Sequence, residues 1–152
     1  MSIFAASDVL QFALRMEENG ALFYRKAAEL AEDSEVKKLL NFLACEEDEH
    51  KKTFEGFLSK VEIYHPTEDY PGEYLNYLHQ YIDKKIYFTD NAPKKLDAAS
   101  ALDFAIQTEM DAIVYYTELK GFVDAADAKV IDKIISEERK HFAQLSALRK
   151  KA

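Results

Sequence analysis

Very little in this sequence interrupts a helix. Its 152 residues include three prolines, four glycines and no tryptophan. With so few breakers and so much Ala, Leu, Glu and Lys, long helices are favoured. The one cysteine, Cys45, excludes an internal disulfide, so a reducing compartment and a cytoplasmic protein are expected. Cys45 lies two residues before Glu47, off that residue's side of a helix, and is read as a packing residue. No apolar run is long enough to span a bilayer, and no basic stretch followed by an apolar one opens the chain, so neither membrane nor secretion is expected. Positive charge is scarce as well. Lys and Arg number 20 against 28 Asp and Glu, and a net charge of −8 repels phosphate backbones, which argues against nucleic acid as a partner.

What the sequence does have is Glu-x-x-His, twice. Glu47 and His50 sit in a stretch whose apolar residues are Val36, Leu40, Leu43, Phe54 and Phe57. Glu138 and His141 follow Ile131 and Ile134 and precede Leu145 and Leu148. Residues three apart on a helix share a face, so each Glu-His pair points where the apolar residues point. Carboxylates and imidazoles directed into a core need partners. Two more acids are placed the same way. Glu17 lies in the middle of the face formed by Leu10, Ala13, Leu14, Ala21, Tyr24 and Ala28, and Glu109 in that of Leu102, Ala105, Ile106, Ile113 and Tyr116.

The two halves repeat. Leu10, Phe12, Ala13, Glu17 and Tyr24 recur 92 residues later as Leu102, Phe104, Ala105, Glu109 and Tyr116, and Glu47 and His50 recur 91 residues later as Glu138 and His141. A two-helix unit used twice accounts for this, over about 7–60 and 97–150. Ser7 is placed to cap the first helix, which runs to about Ala31; Ser34 starts the second, which ends near Lys60. Asp97 or Ser100 caps the third, which stops at Gly121, and Asp124 caps the fourth, whose basic end Arg149-Lys150-Lys151 suits a helix C-terminus and reads as solvated. Residues 61–96 are broken by Pro66, Pro71, Gly72 and Pro93, with a short amphipathic helix expected over 74–85; His65 and His79 there read as surface or packing histidines. A helix of ~24 residues is ~36 Å long, so this connection can return along the bundle and make the second and third helices parallel. The predicted fold is an all-α, ferritin-like four-helix bundle of one domain, with a long crossover between the second and third helices.

Two helices that each offer a Glu, beside two that each offer Glu-x-x-His, form the ligand set of di-iron and di-manganese carboxylate bundles. Four carboxylates balance two divalent cations, whereas unfilled they would crowd like charges into a dry core. Carboxylate oxygen with one imidazole per metal suits iron or manganese, and no thiolate is offered for zinc or copper(I). The predicted ligands are therefore Glu17, Glu47, His50, Glu109, Glu138 and His141 for two iron ions, manganese being the alternative. Glu47 and Glu138 are expected to bridge and Glu17 and Glu109 to be terminal. Tyr24 and Tyr116, two turns beyond those terminal acids, are either hydrogen-bond donors to ligand carboxylates or plain core. A lone Glu-x-x-His is more often a surface accident, but here four elements agree in order, face and spacing.

These residues resemble the rubrerythrin-like branch of the ferritin-like superfamily over essentially the whole chain. The resemblance rests on Glu17 with Tyr24, Glu47-x-x-His50, Glu109 with Tyr116, and Glu138-x-x-His141. It implies a non-haem di-iron centre oxidised by hydrogen peroxide or dioxygen, in a cytoplasmic homodimer. Rubrerythrins proper add a Glu one turn after the third-helix ligand; this chain has Ala112 there, matched by Gly20 in the first repeat. They also carry a rubredoxin-like Cys-x-x-Cys iron domain, which this sequence lacks, so electrons are expected from a separate donor such as a rubredoxin, or from iron(II) itself. The alternatives are a ferroxidase that handles iron and a metal-stabilised bundle without turnover.

Overall fold

The computed structural model describes residues 6–61 and 98–151. Among them, regular structure is entirely helical: α1 (Ala6–Leu30), α2 (Ser34–Val61), α3 (Ala98–Leu119), a 3-10 turn (Lys120–Phe122) and α4 (Ala125–Lys151). The expected short helix, His65, His79 and Asp97 lie outside the described residues.

The helix starts have local causes. Asp33 Oδ1 accepts from the backbone N–H groups of Glu35 and Val36, at 2.9 and 3.1 Å, and caps α2. The cap is thus Asp33, one residue before the helix begins at Ser34. Asp124 caps α4 as expected, its Oδ1 accepting from Asp127 N–H at 2.8 Å. Ser7 and Ser100 lie inside helices that already include Ala6 and Ala98, so neither is a boundary residue. Gly121 does not end α3 in a left-handed conformation; no described residue has positive φ. The chain instead tightens into the 3-10 turn, which directs Phe122 into the core, and extends at Val123.

Three residues link α1 to α2, which folds them back as an antiparallel hairpin, and α3 and α4 form the second. The hairpins pack around two apolar clusters. One joins Leu10, Phe12 and Ala13 of α1 to Phe54 and Phe57 of α2, Tyr115 and Leu119 of α3, and Ile131 and Ile134 of α4. The other joins Tyr24 and Ala28 to Val36 and Leu40, Leu102 and Ala105, and Leu145. The start of α1 therefore meets the start of α4, and the start of α2 meets the start of α3. The helices run up, down, down, up, with α2 and α3 parallel. Cys45 is exposed rather than packed. Its neighbour Ala44 takes the core position, while Cys45, one residue on, is turned roughly 100° towards solvent.

Candidate metal centre

Between the apolar clusters lies a polar layer. Glu17, Glu47, His50, Glu109, Glu138 and His141 are all buried, none more than 6% exposed. Each occupies a core-facing position of its helix, so the periodicity that buries Leu and Phe on either side buries these charges too. Their ligand atoms form two overlapping groups, Glu17, Glu47, His50 and Glu138, and Glu47, Glu109, Glu138 and His141, the atoms of each lying within 4.8 Å of one another. Glu47 and Glu138 belong to both groups. Glu17 and Glu109 each belong to one.

The imidazoles point Nδ1 inward. His50 Nδ1 is 2.7 Å from Glu138 Oε1, 3.7 Å from Glu17 Oε2 and 4.0 Å from Glu47 Oε2. His141 Nδ1 is 3.4 Å from Glu138 Oε2 and 3.8 Å from Glu109 Oε1. The two rings lie 6.0 Å apart, inclined by 25°. The tyrosines reach across the bundle. Tyr24 donates to Glu109 Oε1 at 2.5 Å, and Tyr116 donates to Glu17 Oε1. Each serves the acid of the other hairpin, not the acid two turns before it on its own helix.

This layer is costly without a counter-charge. Glu17 Oε2, Glu109 Oε2, both carboxylate oxygens of Glu138 and the Nδ1 atoms of His50 and His141 are buried and make no well-aligned hydrogen bond, the 2.7 Å approach of His50 Nδ1 to Glu138 Oε1 being an ion-pair contact. Such orphaned atoms are rare in a native protein unless something else satisfies them. Six of them around one point, all metal-ligating types, fit two cations. The protonation equilibria record the same crowding. Burial pushes the Glu17 carboxyl from 4.5 up to about 7, against the pull of His50. Burial and the Glu138 charge push Glu109 well up. For His50 burial acts to lower the value, but Glu138 and Glu17 outweigh it and raise the imidazole to about 11. Glu138 is held below the ordinary carboxylate range, because contacts with Glu109, His141 and His50 outweigh its burial. Both tyrosines are pushed well above 10, by burial first and the nearby carboxylates next, so they remain donors.

The family model for rubrerythrin matches residues 8–149. The chain belongs to the rubrerythrin family. No curated protein matches the sequence significantly. Among solved structures, a candidate ferritin-like diiron-carboxylate protein from Thermotoga maritima is similar, with 28% identity over 99% of this chain and 97% of that one and a TM-score of 0.70. The fold is thus the ferritin-like bundle.

Sequence reasoning missed two residues of this rubrerythrin-family site. Glu137 Oε2 accepts from or donates to His50 Nε2 at 2.7 Å, according to which of them carries the proton. Glu46 Oε2 lies 3.9 Å from His141 Nε2. The signal was present, since both motifs read Glu-Glu-x-x-His, 91 residues apart. On the opposite side of the layer, between α1 and α3, is a cavity of about 30 Å³ lined by Glu17, Gly20, Glu47, Glu109, Ala112 and Tyr116 among others. That exceeds the ~10–15 Å³ a water needs. A Cβ at Gly20 would touch the Glu47 side chain at 3.5 Å, and Ala112 is the other small residue there. No described helix is long and apolar enough to cross a membrane.

Proposed function

We propose that this protein is a di-iron redox protein whose centre is oxidised by hydrogen peroxide or dioxygen and re-reduced by a separate electron donor. One observation carries the reading: two four-residue ligand groups share Glu47 and Glu138 and contain six orphaned polar atoms. In it, Glu17, Glu47, His50 and Glu138 would hold one ion, and Glu47, Glu109, Glu138 and His141 the other. Two iron(II) ions would supply one electron each, enough to take peroxide to water with two protons.

The chain's own residues do the rest. Four carboxylates neutralise two divalent ions, and the surrounding apolar clusters exclude bulk water from the layer. Tyr24 and Tyr116 donate to Glu109 and Glu17, which fixes one oxygen of each carboxylate and leaves the other inward. Gly20 and Ala112 keep open a cavity of a size for a small oxidant beside those acids. The test is anaerobic titration with iron(II), followed by stopped-flow mixing with peroxide or dioxygen and then with a reduced rubredoxin. The expected results are two iron ions per chain, oxidation, and return of the ferrous state. Fewer than two bound ions would overturn the dinuclear assignment. Oxidation without return of the ferrous state would leave iron handling as the function.

A further inference from the structure

We propose that Glu137 is a positioning residue, with Glu46 its weaker counterpart: Glu137 holds the outer nitrogen of His50 and Glu46 faces that of His141, so that both histidines present Nδ1 to the metals. The inference rests on the dinuclear reading above. Both Nδ1 atoms are buried among the carboxylates with no hydrogen bond of their own. Both Nε2 atoms face the other way, towards the α2–α4 surface. There His50 Nε2 meets Glu137 at 2.7 Å, and His141 Nε2 faces Glu46 at 3.9 Å. Glu137 and Glu46 are less than a third exposed, so water screens these contacts only in part. A metal-bound imidazole has one ring nitrogen left, which carries a proton, and a carboxylate that accepts this proton fixes the ring and makes the bound nitrogen a better donor.

The arrangement is reciprocal. Glu17 and His50 come from the first hairpin, but their outer partners Tyr116 and Glu137 come from the second. Glu109 and His141 come from the second hairpin, and Tyr24 and Glu46 from the first. Tyr116 and Glu137 of the second hairpin thus hold ligands of the first, and Tyr24 of the first holds Glu109 of the second. The two contacts also differ in length. His50 Nε2 is held by Glu137 at 2.7 Å, whereas Glu46 stands 3.9 Å from His141 Nε2, beyond hydrogen-bond reach, so loss of Glu137 is the more damaging change.

Zinc(II) serves as a diamagnetic probe, read by ¹⁵N NMR of the histidine rings together with competitive titration of metal affinity. In the wild type two zinc ions bind, with Nδ1 metal-bound and Nε2 protonated in both His50 and His141. Glu137→Leu is expected to weaken binding about 10–100-fold and to change the Nε2–H signal of His50 while leaving that of His141. Glu137→Gln, whose amide oxygen still accepts a hydrogen bond, should recover most of the affinity. Glu46→Leu should have the smaller effect, on His141. Glu49→Leu removes an exposed acid from the same helix and controls for lost charge. Wild type that binds two ions, with Glu137→Leu matching Glu49→Leu in affinity and ring signals, would overturn the positioning role alone. Metal-bound Nε2 in the wild type would also overturn it. Failure of the wild type to bind two ions would overturn the dinuclear reading and this inference with it.

Discussion

Tyr116→Phe isolates one hydroxyl in the polar layer. The ring is fully buried, packs 5.0 Å from Phe54 between centroids, and survives the substitution. What is lost is the bond to Glu17 Oε1. The other oxygen of that carboxylate already lacks a hydrogen bond, so in the metal-free protein the change strips Glu17 of the one hydrogen bond made by its side chain. An unmatched buried acceptor costs about 1–3 kcal/mol, towards the upper end when charged. The expected loss is therefore about 2 kcal/mol at pH 8, which for a domain of this size lowers Tm by roughly 4–8 °C. Tyr24→Phe should behave alike, since its hydroxyl serves Glu109 in the same way. Tyr115→Phe is the internal comparison: its hydroxyl donates to the Val9 carbonyl at 2.8 Å, a neutral acceptor, and about 1 kcal/mol is expected. Thermal and urea melts of the chelated proteins, followed by circular dichroism, give the ranking. If Tyr116→Phe costs under about 0.5 kcal/mol, or no more than Tyr115→Phe, the tyrosines are not what holds the terminal carboxylates.

Three further outcomes are expected. The metal-free protein should lose stability from pH 5 to pH 9: Glu17 (4.5 to about 7) and His50 (6.5 to about 11) both have raised values, so what they contribute is present at low pH and lost as pH rises through the folded value, whereas the depressed Glu138 contributes fully above about 4.5. Melts in high salt, which screens the net surface charge but not the buried layer, read this out; a flat or rising Tm, or no flattening between pH 5 and 7 in Glu17→Gln, would contradict it. Cys45→Ala should change stability by no more than about 0.5 kcal/mol and leave oxidation rates unaltered, and the native thiol should react with a maleimide, because Cys45 is exposed; slow labelling or lost turnover would refute this. Ala112→Glu should lower the Tm of the chelated protein, by adding a buried acid to the cavity, and raise the ratio of peroxide to dioxygen reactivity; an unchanged ratio in stopped flow would show that this position does not set oxidant choice.

The buried charges could be read from the sequence because burial at a helical period leaves a trace. Glu17 and Glu109 interrupt apolar faces, and the Glu-x-x-His pairs repeat that interruption on the other two helices. The caps were less legible. Asp33 and Ser34 are neighbours that both cap well, and only the backbone decides between them. Gly121 satisfies the rule for a helix stop, yet a large residue next to it, Phe122, had core to fill and drew the chain into a tighter turn. Cys45 was misread because an apolar residue type was taken as a packing position, although its step from Ala44 turns it outward.

The partners across the hairpins were not legible for a different reason. Spacing along one helix says which side chains share a face, not which helix that face meets. The expectation for Tyr24 and Tyr116 was only that they donate to ligand carboxylates, and the direction comes from the fold. Since α1 runs up and α3 down, moving seven residues beyond Glu17 rises to the level of Glu109, and moving seven beyond Glu109 returns to the level of Glu17. A duplicated hairpin with this up–down–down–up order has to exchange its outer partners. The same relation on α2 and α4 sets Glu137 opposite His50 and Glu46 opposite His141. Gly20 and Ala112 are counterparts in the repeat, so α1 and α3 both offer a small residue where the cavity lies. The polar layer, the swapped hydrogen bonds and the cavity are thus consequences of one operation, the docking of a two-helix unit on its own copy.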